Sequence, residues 1–286
     1  MQKKIVAISL VLVVVLSSVA CAEEVQEEVE LPLAQEIVDR VIGALDDQRT
    51  AQFEMDMTMD IAGEAEGEVF EMTMVMDSSG TLDLENSQIE MDMTMSMVMP
   101  GEGEIEMVME IYLIGDMMYI MIDVPEMGPM WVKSETPEGT WAEMSQTEAQ
   151  AGLLEAAWVR VIGSEKVRGI DCYVLELTPD MQQLWETAMQ QAAVTGQGIP
   201  DVAEEFLEEM FRSFSVKQWV ATDTYFLMKA EIDMAVELTP EAMGFPKEEG
   251  VITMDMSMVL LSYNYNQPVS IVLPPGAEEA IEMPME

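Results

Sequence analysis

Histidine is absent from this chain of 286 residues, and cysteine occurs only twice. Without histidine the commonest general base and the usual zinc ligand are missing. So is any Ser-His or Cys-His nucleophile pair. Two cysteines allow at most one disulfide. Basic residues are scarce as well, 12 Lys and Arg against 55 Asp and Glu, for a formal net charge of −43. So negative a chain repels phosphate backbones, which argues against a nucleic-acid partner. The acids show no EF-hand loop and no other compact cation-ligand spacing. Carboxylate pairs are so abundant that chance explains them, and no glycosidase or protease site is read from them. No catalytic residue and no cofactor motif emerges, and a non-enzymatic role is expected. A long apolar run is also lacking: Ile5 to Leu16 is too short for a comfortable membrane span.

That short run has a purpose at the N-terminus. Lys3 and Lys4 precede it, and Ser17-Ser18-Val19-Ala20-Cys21 follows it. A positive start, an apolar core and small residues make an export signal. Small residues directly before a cysteine resemble the bacterial lipobox, although Ser18 stands where leucine is usual. The resemblance implies cleavage after residue 20 and acylation of Cys21 by palmitate-type chains. The alternative is an ordinary signal cut near Ala20. Each buried methylene contributes about 0.8 kcal/mol, so several chains on one residue anchor stably. Residues 22–32 then form an acidic tether, extended by its own like charges.

Methionine is what the chain has in excess, 31 residues. One pattern is written repeatedly: Met55, Met57 and Met59; Met72, Met74 and Met76; Met91, Met93, Met95 and Met97; Met107 and Met109; and again Met254, Met256 and Met258. Between them stand Glu, Asp, Thr, Ser or Val. Side chains on a strand alternate faces with period two, so each copy is a strand with methionine on one face. Gly-rich links at Ala62–Gly67, Ser78–Gly80 and Pro100–Gly103 favour antiparallel neighbours. Thr81 to Leu84 reads as a short extra strand or an extension of its neighbour. Acids at alternate positions form a solvated face that also discourages edge aggregation.

Around these strands the spacing predicts further elements. Leu33 to Asp46 is an amphipathic helix with Ile37, Val38, Val41, Ile42 and Leu45 on one stripe. It is expected to pack on the sheet, with docking on the membrane as the weaker alternative. Tyr112 to Ile122 is a hairpin turning at Gly115-Asp116, with further edges at Met130–Lys133 and Thr140–Met144. Gln146 to Trp158 reads as a helix, followed by a hairpin turning near Arg168-Gly169. Thr178-Pro179-Asp180 opens another helix through Leu184, Trp185 and Met189, and Asp201 to Arg212 is a short one. Strands are expected at Phe214–Thr222, Tyr225–Leu238 and Val251–Tyr263. An extended segment, Val269–Pro275, closes the fold, and the acidic end from Gly276 is expected to fray. Cys172 reads as a small buried apolar residue. Trp131, Trp141, Trp158, Trp185 and Trp219 read as core or cavity rim.

The second half carries a family resemblance. Its order is Trp131-Val-Lys-Ser134, a helix with Gly152-Leu-Leu154, then Ile162-Gly-Ser-Glu-Lys-Val-Arg-Gly-Ile-Asp-Cys-Tyr173. Gln218-Trp-Val-Ala-Thr-Asp-Thr-Tyr-Phe-Leu-Met-Lys229 follows, then Tyr263-Asn-Tyr-Asn-Gln-Pro-Val-Ser-Ile271. This resembles the LppX/LprG type of bacterial lipoprotein and related LolA-like lipoproteins, over roughly residues 33–275. The resemblance implies a single α+β domain: a strongly curved, mostly antiparallel sheet, a half-open barrel, with helices covering its concave face. It also implies binding of a lipid or other hydrophobic ligand and its passage through the cell envelope, with an unidentified transport partner. The organisation expected is 1–20 signal, 21–32 acylated cysteine and tether, 33–275 domain and 276–286 acidic tail. The protein would then sit on the outer face of the cytoplasmic membrane or elsewhere in the envelope.

The methionine face itself admits three readings. It is plain core, although methionine has a weaker strand preference than Val or Ile. It is a plastic cavity, because unbranched, polarizable side chains repack around variable apolar guests. Or it binds soft metal such as Cu(I), which thioethers suit. Oxidant scavenging is a minor fourth option. A surface interaction lipoprotein with a filled core is the remaining alternative function.

Overall fold

The computed structural model describes residues 32–65, 68–99, 101, 103–124, 128–136, 141, 147–180, 210–239 and 250–282. Twelve strands form one sheet, in chain order β1 (Thr50–Ala65), β2 (Glu68–Asp83), β3 (Gln88–Met99), β4 (Gly103–Ile114), β5 (Met117–Val124) and β6 (Gly128–Glu135). Then come β7 (Ala157–Val167), β8 (Ile170–Pro179), β9 (Phe211–Ala221), β10 (Leu227–Leu238), β11 (Ile252–Tyr263) and β12 (Ile281–Glu282). Across the sheet the order is β12-β6-β5-β4-β3-β2-β1-β11-β10-β9-β8-β7. All pairs are antiparallel except β12 with β6. The sheet is strongly curved and does not close.

Two helices are described, α1 (Ala34–Leu45) and α2 (Thr147–Glu155). The helices expected over the concave face pack, among the described residues, at the β7–β9 end. Ile37, Val38 and Val41 of α1 and Leu154 of α2 join Leu175, Leu177, Val216 and Val220 in one buried cluster. On the opposite face a second cluster holds Cys172, Val174, Trp219 and Met228. Cys172 is fully buried, and that burial pushes its thiol up.

Local chemistry explains the turns. In the β7–β8 hairpin Arg168 and Gly169 both have positive φ, 49° and 87°, the backbone of a tight turn whose twist matches its strands. β2 runs unbroken through Ser78–Gly80, so that stretch is not the link expected there, and Thr81 to Asp83 extend the same strand.

Several expectations are corrected. Trp158 belongs to β7, not to a helix, and is 82% exposed, so it is neither core nor cavity rim. Val159 and Val161 pack on the helix-covered cluster, so period two turns Trp158 the other way. Thr178 and Pro179 are paired in β8, and the residues of the helix expected after them lie outside the described ones. Phe211 and Arg212 begin β9, so no helix runs to Arg212.

The acidic end does not fray at Gly276. Residues Pro275–Glu279 form a 3-10 turn against β5 and β6, and β12 then adds to β6. Ala277 is fully buried, while Glu278 and Glu279 stay exposed. Small residues let this backbone approach Trp131 closely, which composition alone does not show. Residues 1–31, with the signal, Cys21 and most of the tether, lie outside the described residues. So do 142–146 and 181–209, with Trp185 and the two expected helices there.

Candidate ligand-binding site

The register turns the methionine repeats into rows. Met256 faces Met59, Met59 faces Met74, and Met74 faces Met97, with Met234 opposite Met256 at the end. The next row is Met258, Met57, Met76, Met95 and Met107. A third reads Leu260, Met55, Ser78, Met93 and Met109, and a fourth Ser262, Phe53, Gly80 and Met91. Met254 and Met72 flank Ile61 at the far end. Every methionine singled out from the sequence therefore lies on one face, and each of them is half-buried. Met234 joins them from β10, where Ala230, Ile232, Met234 and Val236 alternate with Lys229, Glu231, Asp233, Ala235 and Glu237.

This face continues through Ala230, Gln218 and Leu175 into the cluster beneath the helices. Between the helices and the methionine rows lies a cavity of about 410 Å³, within the usual range for small-molecule sites. Phe53, Met55, Ile89, Met91, Met93, Met258 and Leu260 line its sheet side. Gln218 of β9 lies on this side as well, and Gln150 and Leu153 of α2 line the other. Only Met55, Met91, Met93 and Met258 of the expected methionines reach this lining. Met57, Met59, Met72, Met74, Met76, Met95, Met97, Met107, Met109, Met254 and Met256 lie on the same face outside it.

The polar groups of the cavity escaped the sequence reading. Gln218 is 3% exposed, and its Oε1 has no hydrogen-bond partner among the described residues. Gln150 Nε2 is likewise buried and unpartnered among the described residues, as is Ser78 Oγ outside the lining. Ser78 stands directly opposite both Met55 and Met93. A signal for Gln218 was present: it interrupts the buried alternation Phe214, Val216, Val220. Gln150 sits one turn before Leu153 and Leu154 on α2. Leaving a buried donor or acceptor unpaired costs about 1–3 kcal/mol.

Tyr265 also lines this cavity, and its hydroxyl donates to the Leu227 carbonyl. Burial raises its pKa. Asn264 and Asn266 on either side have positive φ, 53° and 57°, a conformation asparagine tolerates. Asn266 Nδ2 donates to the Asp47 carbonyl at 3.1 Å, and its Oδ1 accepts from Arg49 N–H at 2.8 Å. The motif after β11 thus ties down the link between α1 and β1. A larger hollow of about 670 Å³ shares Tyr265, and Gln52, Asp223, Asn264, Asn266 and Gln267 line it together with Ile170, Phe226, Met228, Pro268 and Val269. Its lining mixes polar and apolar groups evenly, so an apolar guest gains less there than in the methionine-walled cavity.

The other face of the sheet is acidic. No Lys or Arg occurs between Arg49 and Lys133, and Asp56 faces Asp77 while Asp92 faces Glu110. Burial, then neighbouring carboxylates, raise the pKa of Asp56, Glu90 and Glu110. Burial, then Glu90, Glu110 and Asp92, push Tyr112 up to about 12. Glu54 differs. Arg168 donates to it at 2.5 Å and Tyr263 at 2.9 Å, and these two hold its carboxyl below the usual range.

These directions predict a pH effect. A carboxylate with a raised folded pKa contributes stability below its unfolded value and loses it as pH rises through the folded value. Glu54 does the reverse: its contribution is present above the ordinary value and is lost as pH falls through its depressed one. Glu54 therefore acts only below the ordinary carboxylate range, and between about pH 7 and 5 the three raised groups set the slope. The melting temperature should rise as pH falls from about 7 to about 5 and stop rising near the ordinary carboxylate range of about 4. Thermal unfolding across that series checks it, and a flat or falling Tm counts against shielded carboxylates on this face.

Among the described residues no group of three His, Cys, Asp or Glu side chains is arranged to hold a metal. None of the helices described is long and apolar enough to cross a membrane. None of the curated proteins matches the chain. Solved structures similar to it include LprF from Mycobacterium bovis, at 14% identity over 84% of this chain and 96% of that one, with a TM-score of 0.41. Mycobacterium tuberculosis lipoprotein LppX is similar at 12% identity over 83% and 97%, with a TM-score of 0.39. A LolA superfamily protein from Nitrosomonas europaea is similar at 13% identity over 84% and 96%, with a TM-score of 0.23. The lipoprotein type that the sequence resembles is thus represented among the matching structures. The sequence profile of a family of unknown function, DUF6612, matches residues 33–282, and the chain belongs to that family.

Proposed function

We propose that this protein is an exported lipoprotein, anchored through acylated Cys21, that holds a lipid or acyl chain in the cavity between α2 and the methionine face. One observation carries the reading: an apolar cavity whose wall contains Gln218 Oε1 and Gln150 Nε2, both without a hydrogen-bond partner among the described residues. A ligand with an apolar body and a hydrogen-bonding head satisfies both parts of that wall. Burying each methylene contributes about 0.8 kcal/mol, and the head relieves the unpaired amides. The mechanism is passive. Apolar burial drives uptake, the flexible methionines repack around the chain, and opening between helices and sheet releases it to a membrane or a transport partner. No catalytic step is invoked.

The test is native mass spectrometry of the full chain, followed by organic extraction. A co-purifying lipid at near-unit occupancy is expected, together with an N-terminal mass showing acylated Cys21. Bare protein that stays bare after incubation with lipid vesicles would overturn the carrier reading. Gln218→Met sharpens it: ligand affinity should fall about tenfold, equivalent to about 1.4 kcal/mol, with no loss of Tm in the ligand-free protein. Equal losses in both would make Gln218 structural.

A further inference from the structure

We propose that the methionine rows beyond the cavity bind a soft monovalent cation, Cu(I) or Ag(I), through thioethers on neighbouring strands. This does not rest on the lipid reading, since of its six central residues only Met258 touches the cavity. The register carries it. Met57 stands between Met258 and Met76, and Met59 between Met256 and Met74. Directly opposed residues have Cβ atoms about 4.5–5.5 Å apart, and each methionine side chain has three rotatable bonds. Three sulfurs from three strands can therefore converge on one ion, twice over in adjacent rows.

The residue choice points the same way. Valine or isoleucine would cover a sheet face with better strand preference, so burial alone does not select methionine here. All six of these residues are half-buried, which leaves the face reachable from solvent. Thioether donors unassisted by imidazole select Cu(I) over zinc or the harder divalent ions, and the chain has no histidine. The opposite face of β1 to β5 carries acids and no base, so its field raises the local cation concentration.

The test is titration of the full chain in detergent micelles with Cu(I) against a chromophoric chelator, and with Ag(I) while observing ¹³C-methyl-methionine signals. A subset of methyls should shift with Ag(I) and none with Zn(II). Met57→Leu with Met59→Leu keeps side-chain volume and should preserve the fold. It should cost at least the roughly 10–100-fold in affinity that losing even an outer-shell partner costs a metal site. Met91→Leu with Met93→Leu alters the cavity wall and should leave Cu(I) affinity unchanged. The inference fails if the chelator keeps all the copper or if no methyl shifts. It also fails if the Met57 and Met59 pair changes nothing, or if the cavity pair loses as much. Lipid occupancy, read separately, neither rescues nor sinks it.

Discussion

Leu175→Ala should destabilise the fold by about 2–5 kcal/mol, the cost of truncating a large core side chain whose site cannot collapse. Leu175 is fully buried and sits in β8 among Val216 and Val220 of β9 and Ile37, Val38 and Val41 of α1. Its neighbours are held by sheet hydrogen bonds on one side and by a helix on the other, so the cavity stays open. Helix α1 is sensitive to that loss. Its N-cap, Leu33, makes no side-chain capping bond, and no base sits in its last turn. A helix of 12 residues without these aids depends on packing its apolar stripe. In a domain of this size each kcal/mol lowers Tm by about 2–4 °C. Denaturant unfolding should show a lower midpoint with an unchanged slope. Trp158→Ala is the control and should fall within about 0.5 kcal/mol of the parent, because that ring is 82% exposed. A similar loss in both variants would contradict the seating of the helices on β7–β9.

Gly80→Ala should be costly for a different reason. A Cβ there would sit 2.4 Å from the Glu90 carbonyl oxygen of β3 and 2.6 Å from the Phe53 ring. The ring can rotate, but the carbonyl belongs to the paired neighbouring strand and moves only with it. Overpacking of this kind costs about 1–3 kcal/mol. Phe53 lies directly opposite Gly80 in the register and also lines the cavity, so the displaced ring alters the binding wall. Thermal unfolding and lipid occupancy should therefore both fall. Phe53→Leu in the same chain should restore part of the stability, since it removes one of the two obstacles. Wild-type behaviour of Gly80→Ala would mean that β2 and β3 approach less closely than described.

The strands and the methionine face were legible because period two is a local property: each repeat declares its own two faces without reference to the rest. The cavity was legible only in part. Met55, Met91, Met93 and Met258 reach it, but the pattern gave no reason to separate them from Met72 or Met107. Trp158 misled because Leu154 and Trp158 keep helical spacing across the point where α2 ends and β7 begins. The amides escaped because Gln150 and Gln218 lie 68 positions apart in the chain and meet only across the cavity.

By itself the sequence determined the methionine strands, which face of each is apolar, and the concentration of negative charge on the other. Those follow from side-chain alternation and composition, which need no neighbours. The export signal and Cys21 also rest on sequence. Tertiary structure decided the rest. Copy and copy become rows because β11 lies beside β1 in a register that sets Met258 against Met57, a pairing between segments about 200 residues apart. Among the described residues the helices pack at β7–β9, Tyr265 bonds the Leu227 carbonyl, and Gly276 of the acidic end packs against Trp131. Long-range packing of this kind is selected by shape and hydrogen-bond register across the whole sheet, and no local stretch of sequence encodes it.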